Sequence, residues 1–486
     1  MKKWTALFLA LILVLSLFGC AAPKEEDPWE KFRKGPGDTD EGFVGIGKDI
    51  KDMKDPLVIC MDIEFAHEPM HTASEVLNEF LLSLEQTGGL SDVVINYLPE
   101  SGPERETKLD RLRVEIMAGG GPDVFIMNCS TWGIDSEYTP VEDPLFLFPE
   151  MSMESGLFLP LDDYIENNTQ FADWDKLTQP VLAAGRHERD GQVIVPLTYT
   201  LPVLVYKKPD VDLDLTGAFY TWEDMLKNPE ISTYTSRFAD CSEPYFGDGM
   251  EKPTVTVRGH YLPYVFGQVA DYKNEELTFT EEELLDYVNF ILDNAKAIDP
   301  ATEPPLSYTT DLGSFMTYEL SHELRGNTSD GMTMIPMYTE DGGVSAMISA
   351  WAAINRNTDK PEEAYTVIDM LMSEHMQRNN LVYSSCFIFT GNAIPMHEDL
   401  LQPGKEFRGI GGFTLEEINH KELCEVRSQI TEAQFRNKLC AELSYLLSHC
   451  HYGLRGVNAG PEFGNFTSVE EEVHKTYEKM QRMLKG

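Results

Sequence analysis

Basic residues are scarce in this chain of 486 residues, which has 39 Lys and Arg against 81 Asp and Glu. The formal net charge at pH 7 is −42. A surface this acidic repels nucleic acid and anionic lipid headgroups, because both carry dense negative charge. The composition therefore excludes a nucleic-acid partner, favours solubility and would attract a cationic ligand.

Several signatures of catalysis and metal binding are also missing. No Cys-x-x-Cys pair occurs, which excludes a zinc ribbon and a thioredoxin-type motif. No Gly-x-Ser-x-Gly sequence supplies a serine nucleophile. The glycines at 119–121 are not followed by the Lys-Ser/Thr of a phosphate-binding loop. We therefore expect no catalytic residue, no cofactor and no metal.

Long hydrophobic runs are limited to one, at residues 7–18 behind Lys2 and Lys3. It is too short for a permanent membrane helix and is typical of a signal peptide. It ends in Leu17-Phe18-Gly19-Cys20, which resembles a bacterial lipobox. The resemblance implies a signal peptide over 1–19, a diacylglyceryl thioether on Cys20 and anchoring to the extracytoplasmic face of the cell membrane by two acyl chains. The alternative is an ordinary secretory signal in which Cys20 is incidental.

The chain after Cys20 begins with a polar stretch and then changes to regular structure. Residues 20–55 are charged and rich in Gly and Pro, which predicts a flexible tether. Apolar runs of strand length at 57–61, 93–97 and 123–127 alternate with two amphipathic helix patterns. This order predicts a parallel sheet wound with helices, an α/β fold. Ligands bind outside the carboxyl ends of such strands, so the loops after Met61 and Met127 are predicted to line a site.

Seven segments, in order, resemble those of carbohydrate-type extracellular solute-binding proteins, the maltose-binding-protein-like family of ABC importers. The most specific is 108–124, in which an amphipathic helix ends in three glycines before Pro122-Asp123-Val124. The others lie at 159–165, 190–196, 204–208, 221–226, 360–373 and 394–395. The resemblance covers roughly residues 55–400, and the region from 400 to 460 matches poorly.

This resemblance implies two α/β lobes joined by hinge strands, with a ligand cleft between the lobes. We assign residues 56–160 and 345–395 to lobe one, and residues 161–344 and 396–486 to lobe two. The lobes would close around a mono- or oligosaccharide, and the permease subunits of an ABC importer would recognise the closed form. Such a mechanism needs no catalytic group.

A sugar site combines carboxylates or amides for the hydroxyls with aromatic rings for the C–H faces. The predicted strand ends and lobe crossovers offer both kinds of side chain. The candidate ligand-binding residues are Asp62, Glu64, His67, Asn128, Trp132, Tyr199, Tyr338 and Trp351. For each aromatic residue the alternative is packing within a lobe, and for Asp62 and Glu64 it is a solvated loop carboxylate.

Three other functions stay open. The acidic composition would suit a binding protein for a cation such as a polyamine. His67-Glu68-Pro69-Met70-His71 has the spacing of a zinc metallohydrolase, although Pro69 opposes the helix that this motif requires. A lipoprotein that only scaffolds other surface proteins would have no cleft ligand.

Overall fold

The computed structural model describes somewhat more than half of the chain, and all structural statements concern that part. The described residues are 43–44, 53–62, 80–98, 103–128, 143–201, 203–207, 239–242, 254–257, 262–296, 314–316, 332–336, 338, 343–378, 394–402, 406–407, 413–414, 424–454 and 466–486. The predicted signal peptide and Cys20 lie outside them. None of the helices in these ranges is long and apolar enough to span a membrane.

Strands and helices are numbered in chain order. The strands are β1 Phe43–Val44, β2 Leu57–Asp62, β3 Val93–Tyr97, β4 Val124–Asn128, β5 Arg186–His187, β6 Gly191–Gln192, β7 Ile194–Thr200, β8 Val203–Lys207, β9 Ala239–Ser242, β10 Thr254–Val257, β11 Ala270–Asp271, β12 Glu276–Leu277, β13 Ser314–Met316, β14 Met332–Pro336, β15 Val344–Ile354, β16 Ile394–Pro395, β17 Glu406–Phe407, β18 Phe413–Thr414 and β19 Ile430–Phe435. The helices are α1 Pro103–Met117, α2 Pro149–Glu154, α3 Asp162–Asn167, α4 Gln179–Leu182, α5 Leu262–Val265, α6 Glu281–Lys296, α7 Pro361–Leu371, α8 Glu374–Arg378, α9 Lys438–Leu454 and α10 Val469–Lys485.

The main sheet has eight strands in the order β1-β3-β2-β4-β15-β7-β16, with β19 also paired to β15. β2 pairs in parallel with both β3 and β4, which confirms the parallel arrangement predicted from the three apolar runs. α1 makes the crossover from β3 to β4 and buries Leu109, Leu112 and Ile116, the residues whose spacing predicts it. β15 is antiparallel to β4 and β7 and parallel to β19.

Asp123 explains why the Pro-Asp-Val segment opens β4 at this place in the sheet. The backbone N–H of Val58 donates to Asp123 Oδ2 at 2.8 Å, and the hydroxyl of Thr358 donates to Oδ1 at 2.6 Å. The first contact ties the start of β4 to β2, and the second ties it to the turn between β15 and α7. One carboxylate therefore joins three elements that are distant in the sequence.

The buried apolar residues form two hydrophobic cores. The first lies around the main sheet and takes in β2, β3, β4, β7 and β15. The second is built from α5, α6, α9 and α10, with Phe148 and Met347. β15 contributes to both, because Ala346 and Ile348 belong to the first core while Met347 points into the second. Two cores sharing a strand fit the predicted two-lobe organisation.

The cores differ from the predicted division of the chain in two segments. Leu161, Leu177 and Val181 belong to the first core, and so does β7, although residues 161–344 were assigned to lobe two. Ile430 and Phe435 of β19 also lie there rather than with 438–486. The reason is that β7 and β19 both hydrogen-bond to β15, which holds them in the first lobe's sheet.

β1 is a second difference, because it falls within the predicted tether of 20–55. Phe43 pairs with Ile95, and Val44 pairs with Val94, at the edge of the main sheet. This apolar pair covers the outer edge of β3, which would otherwise expose unpaired backbone groups.

Candidate functional site

The carboxyl ends of β2, β3 and β4 meet at one edge of the main sheet. Asp62 ends β2 and Asn128 ends β4, so the predicted loops start at this edge. β7 leaves the sheet at the same edge and β15 enters it there, since Ala350 pairs with Asn128 and Met347 with Thr200. The strands that connect the two cores therefore pass directly beside the strand ends at which an α/β sheet binds ligands.

These connecting strands have one apolar face and one polar face. Side chains alternate along a strand, and Ile348, Tyr199 and Phe435 face the first core. Their neighbours face the opposite way, toward the side on which Met347 enters the second core. The buried polar residues on that side are Thr198, Thr200, Ser345, Ser349, Gln434 and Arg436, which we call the hinge polar face.

Arg436 belongs to this face although β19 ends one residue earlier. Its backbone N–H donates to Ile348 O at 3.1 Å, which continues the strand pairing and keeps Arg436 on the side of Gln434. Burial raises the pKa of the Cys440 thiol to about 11, and the charge of Arg436 acts against that shift. Cys440 lies in the second core, so this interaction agrees with the side of the strands on which the alternation puts Arg436.

Some hydrogen-bonding groups of the hinge polar face lack a partner in the described chain. The hydroxyls of Thr198 and Ser349 bond to each other at 3.1 Å. In contrast, Ser345 Oγ and Gln434 Nε2 are buried and have no hydrogen-bond partner in the described chain. A buried polar group without a partner costs about 1–3 kcal/mol, so such groups in a native fold call for an explanation. A bound polar molecule would supply the missing partners.

Asp62 lies at the predicted edge but is occupied by an internal partner. Arg105 Nη1 and Nη2 donate to its two carboxylate oxygens at 2.8 Å each, and both side chains are buried. Arg105 also donates to Asp143 O at 2.8 Å. The pair therefore fixes the segment entering α2, and Asp62 is not the solvated loop carboxylate that was the alternative.

Trp351 and Tyr199 lie inside the first core. Trp351 is 2% exposed and its ring centroid lies 5.6, 5.8 and 6.2 Å from those of Phe146, Phe158 and Phe435. Tyr199 is fully buried, and its hydroxyl accepts from Arg427 Nε at 2.7 Å. Both placements match the packing alternative, because the middle of β15 and β7 is buried on both faces.

Tyr338 lies beside the start of β15. Its hydroxyl donates to Gln429 Oε1, and Gln429 O accepts from the N–H of Val344 at 2.9 Å. Burial raises the pKa of Tyr338, against the effect of the Gln429 hydrogen bond. Through Gln429, Tyr338 is tied to the start of β15, the strand that carries Ser345 of the hinge polar face.

The remaining predicted residues lie outside the described chain. They are Glu64, His67, Trp132, the side chain of Asn128 and the rest of the zinc-type pattern to His71. Their contribution to the site stays a prediction. Within the ranges given above, no three His, Cys, Asp or Glu side chains are grouped so that they could hold a metal ion.

Glu150 is half-buried at the junction of the two cores, with one of its carboxylate oxygens fully buried. Its Oε1 accepts from Asn437 Nδ2 at 3.5 Å, which also donates to the hydroxyl of Tyr272, and its Oε2 is buried without a partner in the described chain. Burial raises the pKa of Glu150 to about 8, although hydrogen bonds from Asn437 and the backbone of Phe435 act against this. The carboxyl group is therefore mostly neutral at pH 7.

The hinge polar face was missed by reasoning from the sequence, which searched strand ends for aromatic and acidic residues. A signal was present in the alternation Leu197-Thr198-Tyr199-Thr200-Leu201, where every second residue is a hydroxyl. Period-two alternation indicates a strand with one polar side.

No protein-family model matches the chain, and no curated protein matches it. Among solved structures, the chain is similar to the family 1 extracellular solute-binding protein from Alicyclobacillus acidocaldarius, with a TM-score of 0.50 and 14% identity over 90% of this chain and 100% of that one. It is also similar to a periplasmic oligogalacturonide-binding protein from Yersinia enterocolitica, with a TM-score of 0.50 and 14% identity over 88% of this chain and 99% of that one. The similarity confirms the α/β fold of two-lobe solute-binding proteins that the sequence resemblance implies.

Proposed function

We propose that this protein is a lipid-anchored extracytoplasmic solute-binding protein that delivers a mono- or oligosaccharide to an ABC importer. The observation that carries the proposal is the hinge polar face, where buried and partly unsatisfied polar groups lie on the strands joining two cores. The fold shared with two solute-binding proteins supports it.

The chemistry of the face suits a saccharide. Ser345 and Thr200 offer hydroxyls and Gln434 an amide, and these groups donate to and accept from sugar hydroxyls. Trp132 and Asn128, predicted at the end of β4, would add a stacking ring and a second amide. Small-molecule sites of this kind combine a few placed polar groups with an apolar or aromatic wall.

The connection between the cores suits a binding cycle. Motion of one core relative to the other would open and close the site over the hinge polar face. The closed, ligand-bound form would be the one that the permease subunits contact. Neither step breaks a covalent bond, so the proposed role includes no enzymatic reaction.

Thermal unfolding against a ligand panel tests the proposal. The chain from Ala21 onward, which lacks the lipid anchor, would be melted with sugars, with polyamines, and with and without chelator. A ligand at 100 times its Kd stabilises the native state by about 2.7 kcal/mol. Stabilisation by a sugar class supports the proposal. Stabilisation by polyamines alone would favour the cation-binding alternative, loss of stability on chelation the zinc alternative, and no response at all the scaffold alternative.

A further inference from the structure

Arg436 carries a buried positive charge at the proposed site. The residue is 5% exposed and lies on the hinge polar face next to Gln434. Among the described residues, the hydrogen bond seen at Arg436 is that of its backbone N–H to Ile348 O, and no acidic side chain is seen paired with its guanidinium. Charged groups are rarely buried without a partner, because the lost hydration is not replaced.

The acidic residues nearby do not supply that partner. Asp62 is held by Arg105, and Asp143 is bonded to Lys438 Nζ at 2.9 Å. Glu150 lies at the same junction, but its raised pKa leaves it mostly uncharged at pH 7. Glu432 shares the face of Gln434 but is exposed to solvent.

The groups beside Arg436 are also suited to an anion. Gln434 Nε2 is a buried donor without a partner in the described chain, and Ser345 Oγ can donate its proton. Ser345 and Gln434 lie diagonally on adjacent strands, since Met347 is the direct partner of Gln434. A guanidinium flanked by an amide N–H and a hydroxyl matches the oxygens of a carboxylate or phosphate.

We infer that the saccharide held at the hinge polar face carries an anionic oxygen group that pairs with Arg436. The inference rests on the proposed function and specifies its substrate class: a uronate-type or phosphorylated sugar rather than a neutral one. It also opposes the polyamine alternative, because a cation would meet an unneutralised arginine.

The net charge of −42 does not contradict an anionic ligand. Exposed charges are screened beyond about 8–10 Å at physiological ionic strength, whereas a buried charge acts at short range with little screening. The overall charge therefore slows the approach of an acidic sugar, and the buried arginine decides whether it stays bound.

The test compares acidic and neutral sugars on the chain from Ala21 onward by calorimetric titration. The probes are mono- and disaccharides of glucuronate, galacturonate and mannuronate, the 6-phosphates of glucose, galactose and mannose, and the neutral parent sugars. Uronates and phosphates separate the two sources of the anionic group. We expect binding by acidic members of one series and a much weaker response to their neutral parents.

Arg436→Gln should weaken the binding of that acidic sugar by about 30-fold or more, since removing one partner of a buried charge pair has at least that effect. Arg186→Gln is the matched control, because Arg186 is about half exposed and pairs with Asp162 away from the hinge. Arg436→Gln should also melt at an equal or higher temperature without ligand, which shows that the variant is folded.

Each other outcome overturns the inference in a distinguishable way. Equal binding of neutral and acidic sugars would overturn it and leave the proposed function standing. Acidic sugars that bind Arg436→Gln as tightly as the unmodified chain would remove Arg436 from the site. No binding of any sugar would overturn the inference together with the proposed function.

Discussion

Replacing Glu150 by glutamine should make the protein more stable at alkaline pH. Glu150 Oε2 is buried without a partner in the described chain, and burial raises the pKa of the carboxyl group from 4.5 to about 8. In the unfolded chain the same group ionises near its ordinary value. Between these two pKa values the folded protein therefore holds a proton that the unfolded chain has released.

The sign of the effect follows from this difference in bound protons. Stability falls as pH rises wherever the folded state binds more protons than the unfolded state. The stability that protonated Glu150 gives the folded state is thus fully present below pH 4.5 and is lost progressively as pH rises to about 8. Each pH unit in this window corresponds to about 1.4 kcal/mol, so the whole window gives an upper limit of roughly 5 kcal/mol.

A glutamine side chain has the shape of the protonated acid and cannot ionise, so the Glu150→Gln variant lacks this loss. We expect the variant to match the unmodified protein near pH 5 and to exceed it increasingly toward pH 8.5. Urea unfolding followed by tryptophan fluorescence at half-unit pH intervals measures the difference directly.

Glu154→Gln is the control, because Glu154 lies on the same helix with a side chain that is 45% exposed and contacts His187. Its pH profile should follow that of the unmodified chain above pH 7. If Glu150→Gln and the unmodified chain lose stability in parallel from pH 5 to 8.5, then Glu150 ionises normally and the reasoning from its burial is wrong.

The packing and the proposed anchor support three more predictions. Trp351→Ala should lower the free energy of unfolding by about 3–5 kcal/mol, because it removes the central ring of an aromatic cluster in the first core. Trp132→Ala should instead weaken sugar binding and leave the urea midpoint unchanged. Asp62→Ala should destabilise the protein by about 3–5 kcal/mol in urea unfolding, because it leaves the Arg105 charge buried and unpaired. Adding Arg105→Met to this variant should recover much of that loss. Cys20→Ser should move the protein from the membrane fraction to the soluble fraction, and retention of the variant at the membrane would argue against the lipobox.

The fold was readable from the sequence where local pattern and sheet topology agree. The runs at 57–61 and 93–97 are continuous and apolar because these parallel strands are buried, and Leu109, Leu112 and Ile116 carry the helical period of the crossover. The lobe boundaries were not readable. They depend on β7 and β19 pairing with β15, and pairing between strands more than 80 residues apart leaves no local pattern.

The candidate site shows a different limit. Tyr199 and Trp351 have the right residue types for a sugar, but they lie on strands whose middles are buried on both faces, and residue type does not distinguish a ring in a core from a ring in a cleft. The hydroxyl alternation around Tyr199 was visible as a pattern. Its meaning depended on knowing that Ser345 and Gln434 lie on the same side of the neighbouring strands.

The same unsatisfied groups link the stability of the protein to its binding. Ser345 Oγ and Gln434 Nε2 destabilise the unliganded fold because each is buried without a hydrogen-bond partner in the described chain, and Arg436 adds a charged side chain that is 5% exposed. A ligand that supplies those partners recovers the loss only when bound. Substitutions that remove these groups should therefore raise the melting temperature of the free protein and lower its affinity for an acidic sugar. A residue that served packing alone would lower the melting temperature instead, so the opposite signs of the two changes identify a binding role.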